Sequence, residues 1–265
     1  MIYPNYEIID FHIHPFIDKK NNICAHKDYL NMSTDETRRL FSSFGVIRVC
    51  GSVLNDKSKR SACANVWEYI VEENNIALKL RDYYGDFYIP GFHVHPDFVD
   101  ESIDEIRRMH SLGVHLVGEL CPYSHEWKDY SCDSFSKILD EAEKYNMVVS
   151  FHSMGEDEMD KMVQAHPGIT FVAAHPGEYP SFMRHLARMK MSENYYLDLS
   201  GYGIFRQGML RHAIDEVGAD RFLFGSDFPT CNLAMYIGGV LLDDSISDEE
   251  KRMIFSQNAK RILKL

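Results

Sequence analysis

Apolar residues follow two alternating patterns along the chain. Eight short runs are rich in β-branched and aromatic residues, which is typical of β-strands. These runs are "EIIDFHIH" from Glu7, "GVIRVCGSV" from Gly45, "FYIPGFHVH" from Phe87, "GVHLVGEL" from Gly113, "NMVVSFHS" from Asn146, "ITFVAAH" from Ile169, "NYYLDLSG" from Asn194 and "RFLFGSDF" from Arg221. The segments between them place apolar residues at helical spacing. The chain is therefore predicted to alternate strands and helices.

The helical segments carry their own start and stop signals. Gly113 and Gly218 each follow an apolar helical stripe, at the position where glycine often ends a helix. The sequence "SDEE" from Ser247 predicts a capping box at the start of the last helix. Eight strands alternating with helices in 265 residues predict a single (β/α)8 barrel domain over residues 1–265. A doubly wound sheet is the alternative that strand counting leaves open.

Polar side chains lie at the C-terminal ends of five of the predicted strands. These residues are His12, His14, Glu119, His152, His175 and Asp227. In a (β/α)8 barrel those ends converge on one face, where catalytic residues collect. The sequence therefore predicts one shared site at that face.

The first strand supplies two imidazoles to this site. Residues two apart on a strand point to the same side, so His12 and His14 can hold one cation together. A third imidazole from His152 and a carboxylate from Asp227 would leave a position open for water. Such ligands suit zinc first, and also manganese, iron or nickel, with one or two ions bound. Asp10, two residues before His12, is expected to hold a ligand histidine in its tautomer or to pair with an Arg or Lys.

The composition narrows the possible partners. The formal net charge is −12 and there is no basic cluster, so nucleic acid is an unfavourable partner. The six cysteines form no CxxC pair, which favours reduced thiols and a cytoplasmic location. There is no signal segment and no apolar stretch long enough to span a membrane. A small-molecule substrate is expected, and a homo-oligomer is possible.

The metal motifs also resemble a known family. "DFHIH", "FHSMGE", "AAHPGE" and "FGSDFP" resemble the metal-binding strand ends of the amidohydrolase superfamily, and "HPGITFVAAHPGE", "YYLDLSG" and "NAKRIL" resemble its amidohydrolase-related branch. The resemblance implies a distorted barrel with one or two divalent metals. It implies that His12, His14, His152 and Asp227 are ligands. His175 matches a residue that binds a second metal or acts in catalysis.

Glu119 has two possible roles. Many binuclear members carry a carboxylated lysine at this position, and the TatD-like nucleases carry a glutamate in a similar "GE" context. Glu119 is therefore expected either to ligate or bridge the metals or to pair with a neighbouring Arg or Lys.

Further residues are candidates for the pocket rim. Four candidates follow strand ends, and they are Tyr123, Tyr179, Tyr202 and Arg206. The tyrosines are expected either to contact substrate or to lie on the surface. Arg206 is expected either to receive a substrate carboxylate or to be a surface arginine. The second HxH pair, His93 and His95, has no evident carboxylate partner in the sequence. Both histidines are therefore expected to line the pocket, His95 in particular, or to hydrogen-bond across the barrel mouth, rather than to bind metal.

These observations predict a metal-dependent hydrolase. A metal-activated water would attack an amide, ester, lactone or phosphoester, with Asp227 as general base and then acid and with His175 binding a second metal or the oxyanion. A metal-dependent decarboxylase of a small carboxylic acid is the alternative, because the same branch contains such lyases. A TatD-like nuclease and a non-catalytic metal-holding protein are the remaining possibilities.

Overall fold

The structure is a computed structural model that describes residues 6–18, 22–24, 32–203 and 206–265, without the side chains of residues 57 and 58. In this part of the chain, eight parallel strands form one sheet in the order β1 to β8. They are β1 Ile8–Asp10, β2 Val46–Ser52, β3 Tyr88–Phe92, β4 Leu116–Leu120, β5 Val148–His152, β6 Thr170–Ala174, β7 Tyr195–Asp198 and β8 Phe222–Leu223. All eight predicted strands are present.

Main-chain hydrogen bonds join the last strand to the first. Phe11 N–H donates to the carbonyl of Phe224 (2.8 Å), and His14 N–H donates to that of Phe228 (2.7 Å). The sheet thus curls on itself, and the predicted (β/α)8 barrel is confirmed over the doubly wound alternative. β1 is shorter than predicted and ends at Asp10, so His12 and His14 lie just beyond it.

Helices follow the strands along the described part of the chain. They are α1 Thr34–Ser43, α2 Val66–Tyr84, α3 Val99–Ser111, α4 Asp133–Lys144, α5 Glu156–Ala165, α6 Tyr179–Met191, α7 Met209–Val217, α8 Leu233–Leu241, α9 Asp248–Arg252 and α10 Asn258–Leu263. A π-helical turn, Met253–Gln257, joins the last two. None of these helices has the length and apolar content to cross a membrane.

Local chemistry explains the helix boundaries. Ser247 and Glu250 form the predicted capping box of α9, each side chain accepting from the other residue's main-chain N–H. Gly218 ends α7 with a φ of 85°, a conformation that glycine adopts without steric cost. The apolar residues of α4, which are Phe135, Ile138, Leu139 and Ala142, recur at helical spacing and are buried in the main core.

Candidate metal centre

His12 and His14 converge at the C-terminal rim of the barrel. Both side chains are buried, and their Nε2 atoms lie 3.2 Å apart. The Nδ1 atom of His14 lies 3.0 Å from the carbonyl oxygen of Ser52, which can only accept a hydrogen bond. His14 therefore carries its proton on Nδ1 and presents the Nε2 lone pair to the site.

Glu119 lies between two groups of imidazoles. Its Oε2 atom is 3.0 Å from His12 Nε2 and 3.1 Å from His14 Nε2. Its Oε1 atom is 3.0 Å from His152 Nδ1 and 3.5 Å from His175 Nε2. Among the described residues, no Arg or Lys pairs with this carboxylate in a salt bridge. The arrangement is that of a carboxylate shared by four histidines.

Asp227 completes the group of six. Its Oδ1 atom lies 3.5 Å from His14 Nε2 and 3.8 Å from His12 Nε2. Asp227 and His175 have positive φ angles of 57° and 70°, which are uncommon for residues other than glycine. Such main-chain strain concentrates at functional sites, where surrounding contacts hold it in place. The structure therefore brings together all six residues predicted as metal ligands, and metal binding by them stays a prediction.

The donor set fits a divalent cation. Donors bound at about 2.1 Å are about 3.0 Å apart around an octahedral ion and about 3.4 Å apart around a tetrahedral one. The Nε2 atoms of His12 and His14 and the Oε2 atom of Glu119 are 3.0–3.2 Å from one another. These distances lie closer to the spacing on an octahedral face than to that on a tetrahedral one. The Nε2 lone pair of His14 faces the Oε2 atom of Glu119 at 3.1 Å, and two such electron-rich atoms repel each other. A cation between them would remove this repulsion.

Electrostatics favour positive charge at the same place. Burial alone would lower the pKa of His12, but the carboxylates of Glu119 and Asp198 outweigh it and hold this pKa well above its usual value. Burial alone would raise the pKa of Glu119, but the positive charge of His12 and the hydrogen bond from His12 hold this pKa well below its usual value. The buried carboxylates around His12 thus favour positive charge at this place.

Asp198, which the sequence analysis did not select, holds the ring of His12. Its Oδ2 atom lies 2.9 Å from His12 Nδ1. The role expected of Asp10 is therefore filled by Asp198 instead. Asp10 accepts main-chain N–H groups of His12 (3.2 Å) and Ser226 (2.9 Å), contacts no imidazole nitrogen and has no Arg or Lys partner among the described residues. Burial raises the pKa of Asp10 to about 7.

A cavity of about 340 Å³ opens onto five of the six residues, His14, Glu119, His152, His175 and Asp227. Tyr123 and Tyr202 line it, as predicted for the rim, and the ring of Tyr123 packs edge-on against that of His152 with centroids 5.0 Å apart. Cys121 lies beside the cavity, where its thiol donates to Glu119 (3.2 Å). The pocket wall is thus aromatic near Glu119.

Two predicted rim residues lie outside this cavity. Arg206 forms an ion pair with Glu178, which also accepts a hydrogen bond from Tyr202. A guanidinium paired in this way does not reach the metal centre as a carboxylate receptor. Tyr179 begins α6 and is exposed. The structure gives neither Arg206 nor Tyr179 a contact with the site.

The second HxH pair is buried below the rim. His95 Nε2 lies 2.8 Å from the carbonyl of His125, and its Nδ1 accepts from the Asp97 N–H (3.1 Å), so both ring nitrogens are used by the main chain. His93 Nε2 lies 2.9 Å from the carbonyl of Val53. The expected pocket-lining position of His95 is therefore not what the structure has.

His93 belongs to a separate buried cluster. Glu73 Oε2 lies 2.8 Å from His125 Nε2 and 4.0 Å from His93 Nε2. Burial raises the pKa of Glu73 to about 7 and lowers those of His93 and His125 to about 3. The Nδ1 atoms of both rings lack hydrogen-bond partners, whereas a ligand histidine donates its second N–H. This cluster therefore lacks the contacts of a metal site.

Histidines and carboxylates gathered at the C-terminal rim of a closed barrel are the arrangement expected of a barrel enzyme with a metal centre. The chain belongs to the Amidohydrolase family, whose family model matches residues 9–265. The predicted family is therefore confirmed.

Similar proteins extend the comparison. A gamma-resorcylate decarboxylase of Polaromonas sp. (strain JS666 / ATCC BAA-500) is 39% identical over 74 residues, which are 28% of this chain and only 22% of that relative. The structure of 2,6-dihydroxybenzoate decarboxylase from Rhizobium matches with a TM-score of 0.72 at 16% identity, covering 98% of this chain and 99% of that one. At this identity the structural likeness establishes the fold alone.

Two further solved structures have the same fold. A dihydroxybenzoic acid decarboxylase from Polaromonas sp. JS666, solved with manganese and the inhibitor 2-nitroresorcinol, matches with a TM-score of 0.72 at 16% identity, covering 98% of this chain and 97% of that one. An uncharacterized barrel protein from Bordetella bronchiseptica matches at 0.75 and 18% identity, covering 97% and 98%. The family and the manganese-bound relative support a divalent metal; the choice of zinc stays a prediction.

Proposed function

We propose that this protein is a divalent-metal-dependent decarboxylase of a small carboxylic acid, with hydroxybenzoates as the first compounds to test. The observation that carries the proposal is the 39% identity over 74 residues to a gamma-resorcylate decarboxylase. It is supported by the convergence of this chain's candidate metal ligands, Asp227 among them, on one cavity. A cavity of about 340 Å³ admits a compound with one aromatic ring.

In this proposal four residues would hold the cation, and they are His12, His14, Glu119 and Asp227. When bound, the cation would anchor the substrate's oxygen atoms and draw electrons away from the bond that breaks. The chain's own residues orient the substrate: Tyr123 and the His152 ring, in edge-to-face contact, form an aromatic wall for a planar acid. Because the described cavity lining holds no Arg or Lys, the substrate carboxylate depends on the cation and on histidines for its counter-charge.

Asp227 supplies the proton. In its protonated form it donates to the ring carbon that bears the carboxylate. The bond between that carbon and the carboxylate then breaks, its electron pair stays on the ring, and carbon dioxide leaves. Asp227 regains a proton from water. His175, whose Nε2 faces Glu119, lies on the opposite side of the shared carboxylate and completes the polar wall of the cavity.

Hydrolysis is a second candidate, and the position of Glu119 favours it. Its Oε1 atom, with His152 and His175, forms a further group of potential ligands beside the one that uses Oε2. A carboxylate with donors on both oxygens suits two cations, and paired cations are typical of hydrolases that act on phosphoesters and amides. Metal stoichiometry separates the candidates: one ion per chain favours the decarboxylase, and two favour the hydrolase.

The test is carbon dioxide release from carboxyl-labelled hydroxybenzoates by manganese- or zinc-loaded protein. Asp227→Asn should lower the rate at least about 100-fold, because a carboxamide cannot donate the proton. Asp244→Asn, at an exposed position of the described surface, should leave it unchanged. An unaltered rate in Asp227→Asn would refute the assigned role. Hydrolysis of esters, lactones or phosphoesters without carbon dioxide release would replace the proposal by the second candidate.

A further inference from the structure

Ser200 lies at the point where two histidines of the centre meet. Its Oγ atom is 2.9 Å from His12 Nδ1 and 3.1 Å from His175 Nδ1. The same oxygen forms a short hydrogen bond to Asp198, and the Ser200 side chain is fully buried. The two imidazole rings stack with centroids 5.2 Å apart and an interplanar angle of 28°. One hydroxyl group thus contacts both rings on their Nδ1 edges.

Proton counting fixes the direction of these hydrogen bonds. An ionised carboxylate only accepts, so the single hydroxyl proton of Ser200 goes to Asp198. The remaining lone pairs of Oγ then face the Nδ1 atoms of His12 and His175, which must supply the protons. Each ring is therefore protonated on Nδ1 and presents an Nε2 lone pair to the cavity side.

The two histidines depend on Ser200 to different extents. His12 Nδ1 has a second acceptor, Asp198 Oδ2, at 2.9 Å. His175 Nδ1 has no second hydrogen-bond acceptor among the described residues. We propose that Ser200 is a positioning residue that fixes the tautomer and orientation of His175, so that its Nε2 presents a lone pair to the cavity beside Glu119.

The main chain around Ser200 is built for this contact. A Cβ atom at Gly201 would lie 2.1 Å from His175 Nδ1, and one at Gly225 would lie 3.1 Å from the Ser200 Cβ. Glycine at both positions lets the β7 and β8 ends approach the rings closely enough for the hydroxyl to reach them. The close packing at these two glycines thus places the Ser200 hydroxyl between His175 Nδ1 and Asp198 Oδ1.

Histidine-selective nitrogen-15 NMR of zinc-loaded protein tests this proposal directly, with His175→Gln identifying the His175 signals. Wild-type protein should show His175 protonated on Nδ1. In Ser200→Ala the proton should move to Nε2, where Glu119 can accept it, while His12 keeps its proton on Nδ1 through Asp198. Because the measurement needs no substrate, its outcome is independent of whether the protein is a decarboxylase.

Matched variants separate positioning from packing. Ser150→Ala removes a buried hydroxyl from β5 and should leave the His175 tautomer unchanged. Ser200→Cys keeps the approximate volume but accepts hydrogen bonds weakly, so it should move the tautomer as alanine does, and it replaces alanine if that variant fails to fold. A proton that stays on Nδ1 in both Ser200 variants, or one that lies on Nε2 in the wild type, would overturn the proposal.

Discussion

Asp198→Asn should damage the metal centre more than Asp198→Ala, although asparagine is the closer replacement. Asp198 Oδ1 accepts the main-chain N–H of Ser200 at 3.0 Å and the Ser200 hydroxyl. The asparagine oxygen must take that position, which leaves its NH₂ group facing His12 Nδ1, 2.9 Å away in the native site. Two donors cannot face each other, so His12 moves its proton to Nε2 and loses the lone pair that would bind metal. Alanine leaves His12 Nδ1 with Ser200 Oγ as acceptor.

The magnitude follows from the bond that is lost. A hydrogen bond to a charged group contributes about 1.5–3 kcal/mol, and each 1.4 kcal/mol is about tenfold in affinity. Asp198→Asn should therefore weaken binding of manganese or zinc by about 10- to 100-fold, and Asp198→Ala by less. Competition with a chromophoric chelator measures the affinity, and thermal unfolding of the metal-free variants checks that they are folded.

Asp10→Asn is the matched control, because Asp10 is equally buried but hydrogen-bonds to no imidazole nitrogen in the described structure: it accepts from the main-chain N–H groups of His12 and Ser226 and from the Ser226 hydroxyl. It should bind metal more tightly than Asp198→Asn. If Asp198→Asn bound metal as tightly as the wild type, or more tightly than Asp198→Ala, the tautomer argument would be refuted.

Two further predictions concern the surroundings of the centre. Gly201→Ala should displace the ring of His175 and abolish turnover, because the alanine Cβ would lie 2.1 Å from His175 Nδ1. Gly208→Ala is the control, because Gly208 also has a positive φ, 77°, but a Cβ there would have no atom within 4 Å. In that variant only the free energy of unfolding should fall, by about 1 kcal/mol. Equal turnover in these two variants would contradict the steric argument. Burial raises the pKa of Glu73 from 4.5 to about 7, so the stability associated with its protonated form is complete below pH 4.5 and is lost as pH rises through 7. Urea denaturation of the wild type and of Glu73→Gln between pH 5 and 8 measures this effect. The free energy of unfolding of the wild type should fall by about 2 kcal/mol more over this range than that of the variant, which has no carboxyl group to ionise. An identical dependence of the free energy of unfolding on pH in both proteins would disprove the pKa shift.

The barrel could be predicted from the sequence because each strand is a short apolar run bounded by turn signals. The convergence of His12, Glu119 and Asp227 followed from barrel topology alone, since the C-terminal ends of parallel strands share one face. Asp198 and Ser200 were missed, although "LDLSG" places them two apart at the end of β7, as "HIH" places the histidines after β1. Their polar side chains at that spacing were the available signal.

The rim residues were harder to predict, because loop conformation sets where their side chains point. Tyr123 and Tyr202 line the cavity, whereas Arg206 is turned away by its ion pair with Glu178. No periodicity encodes such a pairing between residues 28 positions apart. The position of His95 likewise depends on the carbonyl of His125, an acceptor that belongs to a distant loop.

The most direct test of the account is the metal content of the purified protein, measured by elemental analysis together with carbon dioxide release from hydroxybenzoates. The account predicts close to one divalent ion per chain, and it predicts that metal and carbon dioxide release are lost together in His14→Ala. A chain that retains no divalent metal, even after incubation with manganese or zinc, would contradict the assignment of this site as a metal centre.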